Sequence, residues 1–361
     1  MAKTVAEPEL AAVSRPTDSV ERRKARPIVF WAVLGAAFVL LELWIYGSWI
    51  GTGEATRVGT GADPVPTATK VWAVFFQASG CALTVAAIVI VVRQSRRERR
   101  LSWDAMMVIA WVSLYWQDPL INYTRHIYFY TSAMLNFGSW VERVPGWRSP
   151  NGHLLPEPLL FSGNAYFWMG PMATVVACFA MRRARARWPR LGVPGTILAG
   201  LAAMAVLDLA LEVIFIRTQL YSYPGAIREL SVWGGKRYQF PIYEALLWGS
   251  VWTTMGALRF FRDDRGRSVV ERGVDRVRAS TRARTALRVL ALVGVANVAM
   301  LIYSGAMNYT GLYADKFPAG YPSYLKNGQC GVGTRYECAG PEVPVPMGNK
   351  ARAVPPYSGD N

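Results

Sequence analysis

The sequence predicts an all-α, polytopic membrane helix bundle of about seven transmembrane helices, with its N-terminus in the cytoplasm. Three observations predict it. Half of the 361 residues are hydrophobic (52%). They fall in blocks long enough for the roughly 20-residue helix that a hydrocarbon core demands, at residues 28–50, 70–92, 101–123, 160–181, 194–216, 241–261 and 286–308. Finally, basic residues crowd into alternate connections. Arg93, Arg96, Arg97, Arg99 and Arg100 follow the second run, Arg182, Arg183, Arg185, Arg187 and Arg190 follow the fourth, and ten arginines lie between Arg259 and Arg288. The connections 51–69, 124–159 and 217–240 carry few, so the positive-inside rule puts residues 309–361 outside.

The net charge of +16 would suggest nucleic acid for a soluble chain. No basic domain interleaved with aromatics exists here, so the expected partners are the lipid bilayer and a hydrophobic small molecule, with no nucleic acid. Arginine outnumbers lysine, as in high-GC bacteria, which points to a bacterial cytoplasmic membrane. No Gly-rich phosphate loop, Cys-x-x-Cys or G-x-S-x-G elbow occurs. Carboxylates and imidazole bind metals, but no H-x-x-H, E-x-x-H or H-E-x-x-H spacing is present. No metal and no other cofactor is expected, and the oligomeric state is not readable.

In chain order, residues 1–27 are polar, without a hydrophobic period, and read as a disordered cytoplasmic leader. The first run reaches Ile50, too long for a signal peptide. It carries Glu42, then Trp44, Tyr46 and Trp49 as an interfacial aromatic belt. The 51–69 loop is rich in Gly, Thr and Pro and is expected to hold little structure. Gln77 in the second run is a candidate interhelical hydrogen-bonder. The third run meets Gln117-Asp118-Pro119, where the residue before proline avoids the α region. Asp118 therefore reads as a helix cap, and equally as a carboxylate held at a break in the outer half of the membrane. The loop 124–159 is long and aromatic, which suggests a folded lid over the outer mouth. Gly170-Pro171 suggests a kink in the fourth run.

Asp208 and Glu212, four apart, share one face of the fifth run and repel each other; Arg217 at its outer end is the expected partner. Tyr223 lies in the following aromatic loop, and Glu244 opens the sixth run near the outer face. The 262–285 connection reads as a solvated cytoplasmic loop. The tail reads as external and loose after about residue 340. Cys81 and Cys178 read as packing residues. An external tail permits a disulfide between Cys330 and Cys338; two free thiols are the alternative.

With that topology Glu42, Asp118, Asp208, Glu212 and Glu244 all fall in the outer halves of their runs, whereas Asp104 sits near the cytoplasmic interface. Acids in a bilayer are costly and mark function by default; the bland alternative is that each pairs locally to hold the bundle. Asp118 and Asn122 lie one helical turn apart, followed by Tyr123 and His126, one of two histidines in the chain. The candidate catalytic residues are Asp118, His126, Asp208, Glu212 and Glu244. The candidate substrate-binding residues are Asn122, Tyr123, Trp140, Trp147, Arg217 and Tyr223.

Gln117-Asp-Pro with Asn122-Tyr123, then Asn136-Phe-Gly-Ser-Trp140, Pro145-Gly-Trp147 and Ser149-Pro-Asn-Gly152, resemble the AveC-like spirocyclase family. Tyr321-Pro-Ser-Tyr324 with Cys330 is similar to it as well. The resemblance runs from the first span to about residue 340. It implies a bacterial membrane protein whose best-known relative closes a spiroketal on a polyketide and also influences dehydration. It carries over no catalytic residue set. Spiroketal closure needs a general acid, a general base and negative charge near an oxocarbenium-like centre, without a redox cofactor, and buried carboxyls suit that chemistry. A transporter is the rival reading, but it would usually show internal repeats and midplane sites. A non-catalytic scaffold is the other, and it has no need of clustered acids.

Overall fold

The computed structural model of the chain describes residues 26–345. The leader before Arg26 and the end of the tail after residue 345 lie outside the described residues. Seven helical elements form the bundle: α1 (Arg26–Gly51), α2 (Thr67–Glu98), α3 (Trp103–Val112), α4 (Asn164–Arg187), α5 (Val193–Arg217), α6 (Ile242–Phe260) and α7 (Thr281–Gly311). A single-turn helix α8 (Ser323–Lys326) follows, and the little sheet present is two antiparallel pairs. These are β1 (Phe129–Tyr130) with β2 (Tyr221–Ser222), and β3 (Ser231–Val232) with β4 (Phe240–Pro241). Among the described residues four helices are long and apolar enough to cross a membrane: α1 from Pro27, α2, α5 and α7. The chain is a mostly helical membrane protein.

α1 and α7 make the most extensive pairing, and two glycines set its closeness. A Cβ at Gly35 would stand 1.9 Å from the Leu290 carbonyl oxygen, and one at Gly294 2.2 Å from that of Trp31. Without a hydrophobic drive between helices in lipid, such close backbone approach supplies the packing energy. α2 is the opposite case. Only 6% of its apolar window is buried, against 44% for α7, so α2 stands as a peripheral wall.

The third run is broken. α3 stops at Val112, and residues Tyr115–Asn122, with Pro119 inside, continue as a 3-10 helix. A break at membrane depth must find partners within the protein. Asn297 on α7, fully buried, provides them. Its Oδ1 accepts from Trp116 Nε1 at 3.0 Å and Gln117 Nε2 at 2.7 Å; its Nδ2 donates to Ser113 Oγ and the Val293 carbonyl, both at 3.0 Å.

The arginine-rich connections meet at one end of the bundle. Arg259 pairs with Asp104 at 3.1 Å, Arg288 with the buried Glu271 at 2.7 Å, and Trp103 Nε1 also donates to Glu271. The other connections interlock at the opposite end as a folded cap. β1 from the 123–158 loop pairs with β2 from the 218–241 loop. Asn136 accepts from the Val58 amide at 3.0 Å, Asn327 donates to the Tyr130 carbonyl, and the Asp63 carboxylate accepts from the Ser323 amide. The 51–66 segment is therefore irregular but anchored. Gln77 does not bridge helices; it accepts from the Leu135 amide in the cap. Cys330 and Cys338 form a disulfide, whereas Cys81 and Cys178 are free.

Candidate active site

A cavity of about 350 Å³ lies inside the bundle below the cap. Each wall comes from a different element. Phe75, Phe76, Gly80 and Leu83 come from α2, Tyr166 and Met169 from α4, and Asp208, Glu212 and Phe215 from α5. Glu244, Trp248 and Trp252 come from α6, and Tyr303 from α7. The 3-10 helix brings Asp118, and the β1–β2 pair brings Tyr128, Tyr130, Tyr221 and Tyr223. Gly170 admits the Trp111 ring: a Cβ there would stand 2.5 Å from it. Toward the arginine-rich end Met106, Met107, Met181, Met255 and Leu258 are buried. Phe75, Leu83 and Met172 line the cavity and are also exposed, so it opens sideways onto the apolar flank beside α2.

Four carboxyl groups line this space, in two sets. Asp118 accepts from Tyr166 Oη at 2.7 Å and from Tyr130 Oη at 2.9 Å. Its oxygens cap no helix; both point to tyrosine hydroxyls, which the broken backbone makes possible. Asp208, Glu212 and Glu244 form the second set, with carboxylate oxygens within 4.8 Å of one another. The Asp208 and Glu244 carboxyls are within hydrogen-bonding reach of each other. The hydroxyls of Tyr221 and Tyr223 are within hydrogen-bonding reach of Glu212, and Tyr303 Oη donates to Glu244 at 3.1 Å. One oxygen on each of the three acids is buried without a partner. These three are the group of described side chains placed to share a cation. No Lys, Arg or His lines the cavity among the described residues.

Of the remaining candidates, Tyr223 lines the cavity and the others do not. His126 is buried in the cap, where its Nε2–H donates to the Pro150 carbonyl at 2.8 Å. Burial lowers its pKa to about 4, so the ring is neutral at neutral pH. Asn122 closes its own turn: Oδ1 accepts from the Ile127 and Tyr128 amides, and Nδ2 donates to the Tyr128 carbonyl. Tyr123 donates to the Pro145 carbonyl and packs on Trp147 at 5.7 Å; Trp147 donates to the Ser149 carbonyl. Arg217 is exposed and does not pair with Asp208 or Glu212. Its guanidinium lies 4.4 Å from the Tyr238 ring centre and 5.7 Å from that of Trp233, on the flank of the bundle. Trp140 donates to the Trp116 carbonyl at 2.8 Å and lines a second cavity.

That second cavity, about 450 Å³, also takes Glu42, Tyr46, Tyr115 and Glu157. Glu157 was not among the candidates. It is 4% exposed, and its carboxyl lies within hydrogen-bonding reach of Asp118. Burial, and then the negative charge that Asp118 carries once it has lost its proton, pushes its pKa well above the usual carboxylate range.

Residues 98–326 match the family described as Spirocyclase AveC-like. The chain belongs to that family. The match spans the break, the cap loops 123–158 and 218–241, the acids of α5 and α6, and α8, so both carboxyl sets lie within the AveC-like region. No curated protein and no solved structure matches the chain.

Proposed function

We propose that this AveC-like protein is a membrane-embedded cyclase that closes an oxygen ring on an apolar, polyketide- or lipid-like substrate by acid–base catalysis, with loss of water. The observation that carries the proposal is the convergence of four carboxyls and a ring of tyrosines on one apolar cavity without a basic residue. Such a space favours a positively charged centre. A carboxylate about 4 Å from a cation gains roughly 4 kcal/mol at an effective dielectric of 20, and aromatic faces add attraction.

The steps balance without a redox partner. One substrate hydroxyl adds to the ketone, giving a hemiketal. Asp118, as its acid, gives a proton to the hemiketal hydroxyl, which departs as water and leaves an oxocarbenium ion. A second hydroxyl adds to that carbon and loses its proton to the Asp208–Glu212–Glu244 set. Tyr130 and Tyr166 hold Asp118 at a fixed angle, and Tyr221 and Tyr223 hold Glu212. The opening beside α2 suits entry from the lipid. In this reading the arginine-rich end faces the cytoplasm, the seven elements α1 to α7 all cross, and the cap and disulfide are external.

Metabolite extracts of cells lacking the protein, compared with complemented cells, test the function. The deletion should accumulate an uncyclised precursor richer by one water than the product. Identical extracts, while the protein is being made in the complemented strain, would contradict the proposal.

A further inference from the structure

Asp118 sits on a boundary. Its own side chain lines the cavity that holds the other acids, whereas Glu157, within hydrogen-bonding reach of it, lines the second cavity. Two carboxyl groups hydrogen bond only when one of them carries a proton, because an ionised carboxylate has no donor. One Glu157 oxygen, Oε2, is buried without a partner. Pro156 and Pro158 flank the residue, and its amide bonds to the Gly138 carbonyl at 3.4 Å, so the side chain is held in place from the cap. Tyr115, Tyr46 and Glu42 line the second cavity together with Glu157. The Tyr46 hydroxyl, too, is buried without a partner. A row of carboxyl and phenol oxygens along a cavity wall is a path on which protons, with water between the groups, move by short steps.

The proposed cyclisation creates a need for that path. Each turnover leaves Asp118 one proton poorer and the Asp208–Glu212–Glu244 set one proton richer. The set sheds its extra proton as product and water leave, and Asp118 must regain one from elsewhere while the substrate cavity stays dry to protect the oxocarbenium ion. We infer that Glu157 is the proton partner of Asp118, and that the second cavity is the route by which Asp118 regains its proton without opening the substrate cavity to water. Glu157 passes its proton to the Asp118 carboxylate and is itself reprotonated through the second cavity; no bond other than O–H is made or broken. The inference rests on Asp118 being the acid of the proposed reaction.

The test uses the full-length protein, by complementation for turnover and in detergent for spectroscopy. Glu157→Gln should reduce product formation on the order of 10²-fold or more, as for loss of an acid–base group, whereas Glu157→Asp should restore part of it. A readout that a packing role would not move is the infrared carbonyl band of the protonated Asp118 carboxyl, assigned by its disappearance in Asp118→Asn. Its shift on transfer to heavy water should be fast in the wild type and slow in Glu157→Gln. If Glu157→Gln keeps wild-type turnover or exchange while Asp118→Asn is inactive, the inference fails and the cyclase reading stands. If both variants keep full turnover, the cyclase reading fails with it. Should Glu157→Gln not fold, Glu42→Gln decides: slowed exchange of the Asp118 band supports the route, and unchanged exchange overturns it.

Discussion

Replacing Asn297 by alanine should loosen the break that carries Asp118. The carboxamide makes four hydrogen bonds at 2.7–3.0 Å, to Trp116, Gln117, Ser113 and Val293. Without it the buried Trp116 indole N–H loses its acceptor. Gln117 Nε2 keeps only the carbonyl of residue 297, at 3.3 Å. Ser113 still donates to the Ala110 carbonyl at 2.8 Å, so its loss is small. One orphaned buried donor costs about 1–3 kcal/mol and a further lost bond about 1 kcal/mol, for a sum of ~2–4 kcal/mol. An unfolding entropy of about 2.1 cal/mol/K per residue gives ~0.76 kcal/mol/K for a chain of this length, so the melting temperature should fall by ~3–5 °C. Tryptophan fluorescence during thermal unfolding in detergent reads this directly, because Trp116 sits at the lesion. Product formation should fall as well, since the 3-10 helix fixes the position of Asp118. An unchanged melting temperature would show that the break is held by something other than this amide.

His126 gives a pH dependence outside the spans. Its folded pKa, about 4, lies below the ordinary imidazole value of 6.5, so between those values the unfolded chain binds more protons and stability rises with pH. That contribution, about 3 kcal/mol at 1.36 kcal/mol per unit, is fully present above pH 6.5 and lost as pH falls toward 4. A His126→Gln variant should show a flatter acid limb in melting temperature against pH, and an unaltered limb would refute the assignment. Gly294→Ala places a Cβ 2.2 Å from a backbone oxygen of α1, where overpacking costs about 1–3 kcal/mol or more; monodisperse yield in detergent should drop. Gly47→Ala, with nothing within 4 Å, should behave as wild type. Reporter fusions at Arg97, Ala186 and Gly273 should report cytoplasm and fusions after Tyr309 the outside; an inward-facing tail would refute seven crossings.

Much of the bundle was legible because apolar runs and arginine blocks register membrane depth directly. Asp208 and Glu212, one helical turn apart in an apolar run, could only face inward, and Pro119 announced the break. What a tyrosine hydroxyl points at is not written in the sequence. Tyr130, Tyr166, Tyr221 and Tyr303 read as ordinary aromatics until the cap brings Tyr130 and Tyr221, and the bundle brings Tyr166 and Tyr303, against the acids. Glu157 was hidden for the same reason, since Pro156-Glu157-Pro158 looks like a surface loop until β1–β2 pairing and Asn136 draw that loop into the bundle. Asn122 and His126 drew attention as rare polar groups beside a span, but the tight turn after Asn122 uses its carboxamide for backbone amides. Arg217 looked like a counter-ion because of its position in sequence. Its helix ends on the outer flank, and the nearby rings of Trp233 and Tyr238 hold it there.

The most direct measurement is product formation by Asp118→Asn in the deletion strain, at wild-type levels of membrane-inserted protein. Asparagine matches the carboxyl in shape and still accepts from Tyr130 or Tyr166, but it holds no transferable proton. Turnover should fall by about 10²–10⁴-fold, the usual contribution of a general acid, with the melting temperature little changed and the precursor accumulating. Full product formation by Asp118→Asn would contradict acid–base cyclisation in this cavity.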